Sequence, residues 1–172
     1  QTTRPAVSSD LPSELSSLYA EFPSIVGRSV ALADVIRRIK KLQKSDSPVL
    51  VIGEGGTEKA EVARAFHTGS EEKLFFFDCY EYREKLHELH YELFGKETEN
   101  ITGIVIDKKA AFELAGDGTV ILANIEHIDL ELQRKLLTLI TENQFKRLRG
   151  AAPVSAGKFR LVVTSSTRLN ER

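Results

Sequence analysis

The chain has 172 residues, enough for one domain with a sizeable core, and its 41% hydrophobic and 28% charged content is ordinary for a globular protein. A formal net charge of −1 supplies no global field for nucleic acid or an anionic membrane, so each basic cluster has to be judged singly. The lone Cys79 excludes an internal disulfide framework, and no apolar run approaches the roughly 20 residues that cross a bilayer.

Residues 1–10 are polar and carry Pro and Ser, as a linker does. Residues 11–22 predict a short helix capped by Ser13 or Asp10, so that 1–22 form an N-terminal segment and 23–172 the core domain. A turn over 24–29 precedes a helix from about Ala31 to Gln43, with Val35, Ile36, Ile39 and Leu42 as its apolar stripe. Then comes the stretch PVLVIGEGGTEKAEV, residues 48–62. Its run Val49-Leu50-Val51-Ile52 predicts a strand buried on both faces, and helix formers resume at Ala60. Strand, glycine-rich turn and helix form a phosphate-binding P-loop, in which backbone N–H groups point at anionic oxygens. The phosphate-binding candidates are Gly53, Gly55, Gly56, Thr57, Glu58, Lys59 and Ala60. Against G-x-x-x-x-G-K-[ST], Glu58 replaces the second glycine and Ala60 the hydroxyl that holds magnesium. A carboxylate at Glu58 opposes the attraction that Lys59 and the helix dipole exert on phosphate.

Residues 74–79 predict a second strand and 83–94 a helix with Leu86, Leu89 and Leu93 inward. Residues 95–107 read as a polar loop, 108–115 as a short helix and 118–125 as a third strand. Asp129 caps an amphipathic helix through Asn143, with Leu132, Leu136, Leu137 and Ile140 on its apolar side. Residues 145–148 predict a short strand or hairpin arm with its turn over 150–157, and 159–165 a fourth core strand. Alternating strands and helices imply an α/β fold with right-handed crossovers, a parallel sheet and a site at the strands' C-terminal ends.

Five co-linear stretches carry a resemblance: Ile25-Val26-Gly27-Arg28-Ser29, Gly53 to Lys59, Glu92-Leu93-Phe94-Gly95, Ala111-Phe112-Glu113-Leu114-Ala115 with Gly118-Thr119, and the LQRKLL of residues 132–137. Together they resemble the AAA+ domain of bacterial enhancer-binding proteins, the sigma-54-dependent transcription activators, from about Phe22 to Leu169. The resemblance implies a three-layer α/β/α P-loop NTPase fold with a mostly parallel central sheet. It also implies a helical lid and trans-acting arginine fingers beyond Arg172. The family's Walker B ends in Asp-Glu, where this chain has Ala123 and Asn124. Alanine cannot bind a metal, and asparagine can neither act as a base nor bring charge to the ion. The family's sigma-contact loop, GAFTGA, falls on Glu99, Asn100, Ile101, Thr102, Gly103 and Ile104, and the γ-phosphate sensor on Ser166.

The expectation is a non-catalytic AAA+ module of a bacterial, cytoplasmic transcription regulator, with no catalytic residue and no metal site. It would act through oligomerisation or through an effector or partner. The alternatives are a weak ATP-hydrolysing sigma-54 activator with Glu126 as a stand-in acid, and a nucleotide-free protein-interaction scaffold. ATP, ADP or another nucleotide effector such as a cyclic dinucleotide is the implied ligand, without magnesium-dependent hydrolysis. The implied partners are a second copy or a related AAA+ regulator, and RNA polymerase with its sigma factor. DNA would be reached only through other domains, membranes not at all, and Gln1 without an initiator Met suggests an excised fragment. Among the remaining polar residues, Asp78 reads as a hydrogen-bonded structural acid, His87 and His90 as a solvated helix face, and Cys79 as a buried small hydrophobe. The basic run 37–41 reads as a wet helix face, and 146–149 as a candidate contact for an anion or a neighbouring protomer.

Overall fold

The computed structural model describes residues 13–27, 29–99 and 105–167. In chain order the elements are α1 (Ser13–Ala20), α2 (Val30–Leu42), β1 (Val49–Ile52), α3 (Lys59–Arg64), β2 (Leu74–Asp78), α4 (Leu86–Phe94), β3 (Lys96–Glu99) and β4 (Val105–Lys108). They continue with α5 (Ala111–Leu114), β5 (Thr119–Ala123), α6 (Leu130–Glu142), β6 (Gln144–Lys146), β7 (Pro153–Ser155) and β8 (Arg160–Ser165). The four predicted core strands form one sheet in the order β1-β8-β5-β2, every neighbouring pair parallel. No helix among the described residues is long and apolar enough to cross a membrane.

Side chains alternate across a strand, and β5, buried throughout, divides its residues between two cores. Ile121, with Val162 of β8, packs against Ile36 and Ile39 of α2, Ala63 of α3, and Phe22 and Ile25. Val120 and Leu122 face the other way, onto Leu89, Leu93 and Phe94 of α4, Phe112 of α5, and Leu132, Leu136 and Leu139 of α6. Helices therefore cover both sheet faces, the three-layer α/β arrangement of a P-loop NTPase.

Several sequence expectations change. The stripe of α2 is Ala33, Ile36 and Ile39, while Val35 and Leu42 are exposed; on α6, Leu139 is buried and Leu137 and Ile140 face out. A second, weaker apolar row beside the buried one misleads a reading by period alone. β1 is covered on one face only: Leu50 and Ile52 are 45% and 50% exposed. The predicted helix over 83–94 starts at Leu86. Upstream of it, the Arg83 guanidinium lies over the Tyr80 ring and donates to Tyr80 O at 2.9 Å, which holds the chain in turns.

The expected polar loop over 95–107 contains an antiparallel pair, β3 with β4. Its base is anchored on several sides. Glu97 N donates to Leu148 O at 3.0 Å, Leu148 N donates to Gly95 O at 3.2 Å, and Lys108 Nζ donates to Glu92 Oε1 at 2.7 Å. β6 and β7 form a second hairpin: its first arm, expected over 145–148, is Gln144–Lys146, and its second arm, Pro153–Ser155, lies within the stretch 150–157 expected as the turn. Asp129 caps α6 as expected, its Oδ1 accepting from Leu132 N at 2.8 Å.

Candidate functional site

β1 runs into the P-loop, and the loop folds around the carbonyl of Glu54. Thr57 Oγ1 donates to Glu54 O at 2.8 Å, Thr57 N at 3.4 Å and Lys59 Nζ at 3.4 Å. A Cβ at Gly53 would stand 2.6 Å from Thr57 Oγ1 and displace that side chain, and Gly56 has a φ of +79°. Glu58 precedes α3 at φ 54° and ψ 31°, the left-handed region, while its carbonyl accepts from Glu61 N and Val62 N at 3.0 and 3.2 Å. The backbone thus has the shape a glycine would give, with a glutamate in the glycine's place. Ala60 follows in the first helical turn, half-buried. A left-handed L-residue costs roughly 1–2 kcal/mol, part of which glycine returns through its larger unfolded-state entropy. Glu58→Gly is therefore expected to stabilise the fold by about 0.5–1 kcal/mol, measured by urea denaturation.

The ends of β2, β5 and β8 meet beside this loop. Asp78 pairs in register with Ala123, and Ile52 with Ser165, whose carbonyl accepts from Gly53 N at 3.1 Å. Ala123 is buried and presents no polar side-chain atom. Asn124 is left-handed, at φ 54° and ψ 51°. Its Nδ2 donates to Asp78 Oδ1 at 2.8 Å, and its backbone N–H donates to the buried Thr164 Oγ1 at 3.1 Å. Asp78 Oδ1 also accepts from Tyr80 N at 3.0 Å, as a structural acid does. The buried Cys79 thiol is pushed up to about 12, first by burial and then by the charge of Asp78.

Glu126 lies in the 3₁₀ turn after β5 and reaches across to the end of β8. Its Oε1 accepts from Ser166 N at 3.1 Å and from the Ser166 hydroxyl. Its Oε2 is buried, with no donor in hydrogen-bond geometry among the described residues. Burial pushes the Glu126 carboxyl up, but the donors from Ser166, the backbone and Ser165 outweigh this and hold it below the usual range. A carboxyl depressed in the fold contributes stability that is complete above the unfolded-state value, roughly pH 4–5, and is lost as pH falls through the folded-state value. Glu126→Gln should therefore flatten the acid limb of the melting temperature below roughly pH 4.5, with little change near pH 7 in that slope.

Of the expected sigma-contact residues, Glu99 ends β3, and positions 100–104 lie outside the described residues. The hairpin leading to them is tied down by a group that no local pattern announces. Arg147 forks onto Glu113, Nε to Oε1 at 3.0 Å and Nη2 to Oε2 at 2.7 Å, and lies 3.6 Å from Glu97 Oε1 on β3. Burial raises the Glu113 carboxyl, and the Arg147 and Ala110 donors bring it below its ordinary value. Arg147 therefore faces inward, which removes it from the expected basic contact surface over 146–149. His90 is also corrected: it is 5% exposed, with Nε2 3.3 Å from Asp129 Oδ1 and Nδ1 near Lys135 and Glu131, while His87 is exposed.

The donor set does not suit magnesium. The Ala123 side chain has no ligand atom, the Asn124 amide is turned to Asp78, and no group of three or more His, Cys, Asp or Glu side chains among the described residues is arranged to hold a metal.

Known proteins agree with this architecture. Residues 25–172 match the family described as the Sigma-54 interaction domain. The chain is 33% identical over 164 residues to the formate hydrogenlyase transcriptional activator FhlA of Escherichia coli (strain K12), covering 94% of this chain and 23% of that protein. It is 38% identical over 150 residues to the Nif-specific regulatory protein of Rhodobacter capsulatus, covering 86% of this chain and 25% of that protein. The chain thus spans about a quarter of the length of these relatives. Among solved structures, NtrX from Brucella abortus superposes with a TM-score of 0.71 at 25% identity, over 92% of this chain and 36% of that one. A crystal structure of NtrX in complex with ATP gives the same score. With the parallel sheet, the P-loop and the co-linear motifs all in place, the chain belongs to the sigma-54 interaction domain family.

Proposed function

We propose that this domain serves a bacterial transcription regulator by assembling and engaging partners without turning over ATP. The observation that carries the reading is at the end of β5: buried Ala123 and the Asn124 amide, committed to Asp78, stand where a metal-binding and a water-orienting carboxylate would act. Catalysis of phosphoryl transfer is mostly positioning and electrostatics around a metal–phosphate complex, and both groups that organise it are missing. The P-loop keeps a backbone that can hold a phosphate, so ATP, ADP or another nucleotide serves as an effector and not as fuel. The NtrX complex with ATP supports a nucleotide role for this fold.

Self-association, or association with a related AAA+ regulator, and contact with sigma-54 and RNA polymerase are the modes of action the family supports. DNA is reached through other domains. Glu126 is not favoured as a substitute catalytic acid, because its Oε1 is already bound by Ser166. The deciding measurement is phosphate release from ATP and magnesium, read on the wild type beside Lys59→Ala. The expected release equals the protein-free blank in both. Steady release that disappears in Lys59→Ala would overturn the reading.

A further inference from the structure

We infer that the site, taken as a nucleotide-binding P-loop without turnover, accepts a nucleoside diphosphate in preference to a triphosphate, and that Glu126 sets this preference. Ile52 pairs with Ser165 and Gly53 N donates to Ser165 O, so the end of β8, where Ser166 follows, lies beside the start of the P-loop. In a P-loop the backbone N–H groups cradle the inner phosphates and the lysine reaches the outer ones. An outermost phosphate must then extend from Lys59 toward the ends of β5 and β8, the crevice in which ligands of open α/β sheets lie.

In this chain that end of the crevice is already anionic. The two donors that Ser166 offers, its N–H and its hydroxyl, are both taken by Glu126 Oε1. Glu126 Oε2 is buried with no donor in hydrogen-bond geometry among the described residues, and Asp78 stands at the end of β2 as a second carboxylate. Because its folded-state value is depressed, Glu126 is fully ionised at neutral pH. No side chain at Ala123 brings a metal to offset an added phosphate charge. Glu58, placed in the loop itself, opposes every phosphate ligand, and because it is present in the wild type and in Glu126→Gln alike, the comparison between them isolates Glu126. A diphosphate meets the loop and Lys59 and ends there. A triphosphate gains no free donor from Ser166 and extends toward the Glu126 carboxylate.

The test is calorimetric titration with ADP and with the non-hydrolysable β,γ-imido analogue of ATP, on the wild type and on Glu126→Gln. Glutamine keeps the acceptor for Ser166 and removes the charge. The wild type is expected to bind ADP at least tenfold more tightly than the triphosphate analogue, and Glu126→Gln to reduce that ratio to threefold or less, chiefly by tightening the triphosphate. Equal or tighter binding of the triphosphate by the wild type, an unchanged ratio in the variant, or binding of neither nucleotide to either protein overturns the inference. Should Glu126→Gln not fold, the wild-type ratio still decides, and Glu126→Ala repeats the charge comparison. Because the analogue cannot be hydrolysed, this outcome is separate from the phosphate-release test of turnover.

Discussion

Gly95→Ala is expected to cost about 3 kcal/mol or more, lowering the melting temperature by roughly 6–12 °C. Gly95 ends α4 with φ 67° and ψ −174°, a conformation essentially reserved for glycine. Its N–H donates to Tyr91 O at 3.0 Å, and its carbonyl accepts from Leu148 N, so the residue is held on both sides. A Cβ built here would lie 2.2 Å from Lys108 O and 2.9 Å from Ala110 N. Those neighbours are backbone atoms, so no flexible side chain can move away. Gly55→Ala is the control: a Cβ there meets nothing within 4 Å, and the expected change stays within about 0.5 kcal/mol. Urea denaturation of the two variants beside the wild type checks both. A loss under 1 kcal/mol for Gly95→Ala would mean that the α4–β3 turn can adopt another conformation. The glycine of the Glu92-Leu93-Phe94-Gly95 motif is thus explained by the close approach of the α4–β3 turn to the chain leaving β4.

Phe112→Ala should cost about 3–5 kcal/mol, the range for removing a fully buried aromatic side chain. Phe112 has no exposed surface. Its ring centroid lies 5.3 Å from that of Phe94, 6.2 Å from Phe145 and 5.1 Å from Phe159, mostly in edge-on geometry. Such contacts add to the burial term because the ring edge of one meets the face of another. The four rings join α4, α5, β6 and the approach to β8, so the cavity left by alanine opens where both hairpins are anchored. Equilibrium unfolding measures the loss, and Phe112→Leu, which refills part of the cavity, should lose distinctly less. A change below 1.5 kcal/mol for the alanine variant would show that the helices collapse into the space.

Legibility followed the length scale of each interaction. The four core strands could be read because each is a short apolar run bounded by turn residues, the pattern that burial on both faces demands of β5; β1 carries the same run although only one of its faces is covered. The P-loop was legible for the same kind of reason, since its glycines and lysine act within seven residues of one another. β3 was not legible: Lys96-Glu97-Thr98-Glu99 has no apolar alternation, and it becomes a strand by pairing with β4 and hydrogen-bonding to Leu148. Arg147 looked like part of a basic surface run, yet its partner Glu113 lies 34 residues earlier in the chain. His90 looked solvated on its helix, and the N-cap region of α6, packed over it, decided otherwise.

The sequence by itself determined the α/β layout, the order of the core strands along the chain and the family, and it put Ala123 and Asn124 at the end of the third core strand. Periodicity and motif spacing are local or co-linear quantities, and they survive without coordinates. Only the tertiary structure decided that Asn124 serves Asp78 and that Glu126 holds Ser166. Those pairs are 46 and 40 residues apart, and the register of parallel strands, which no local pattern encodes, brings them together.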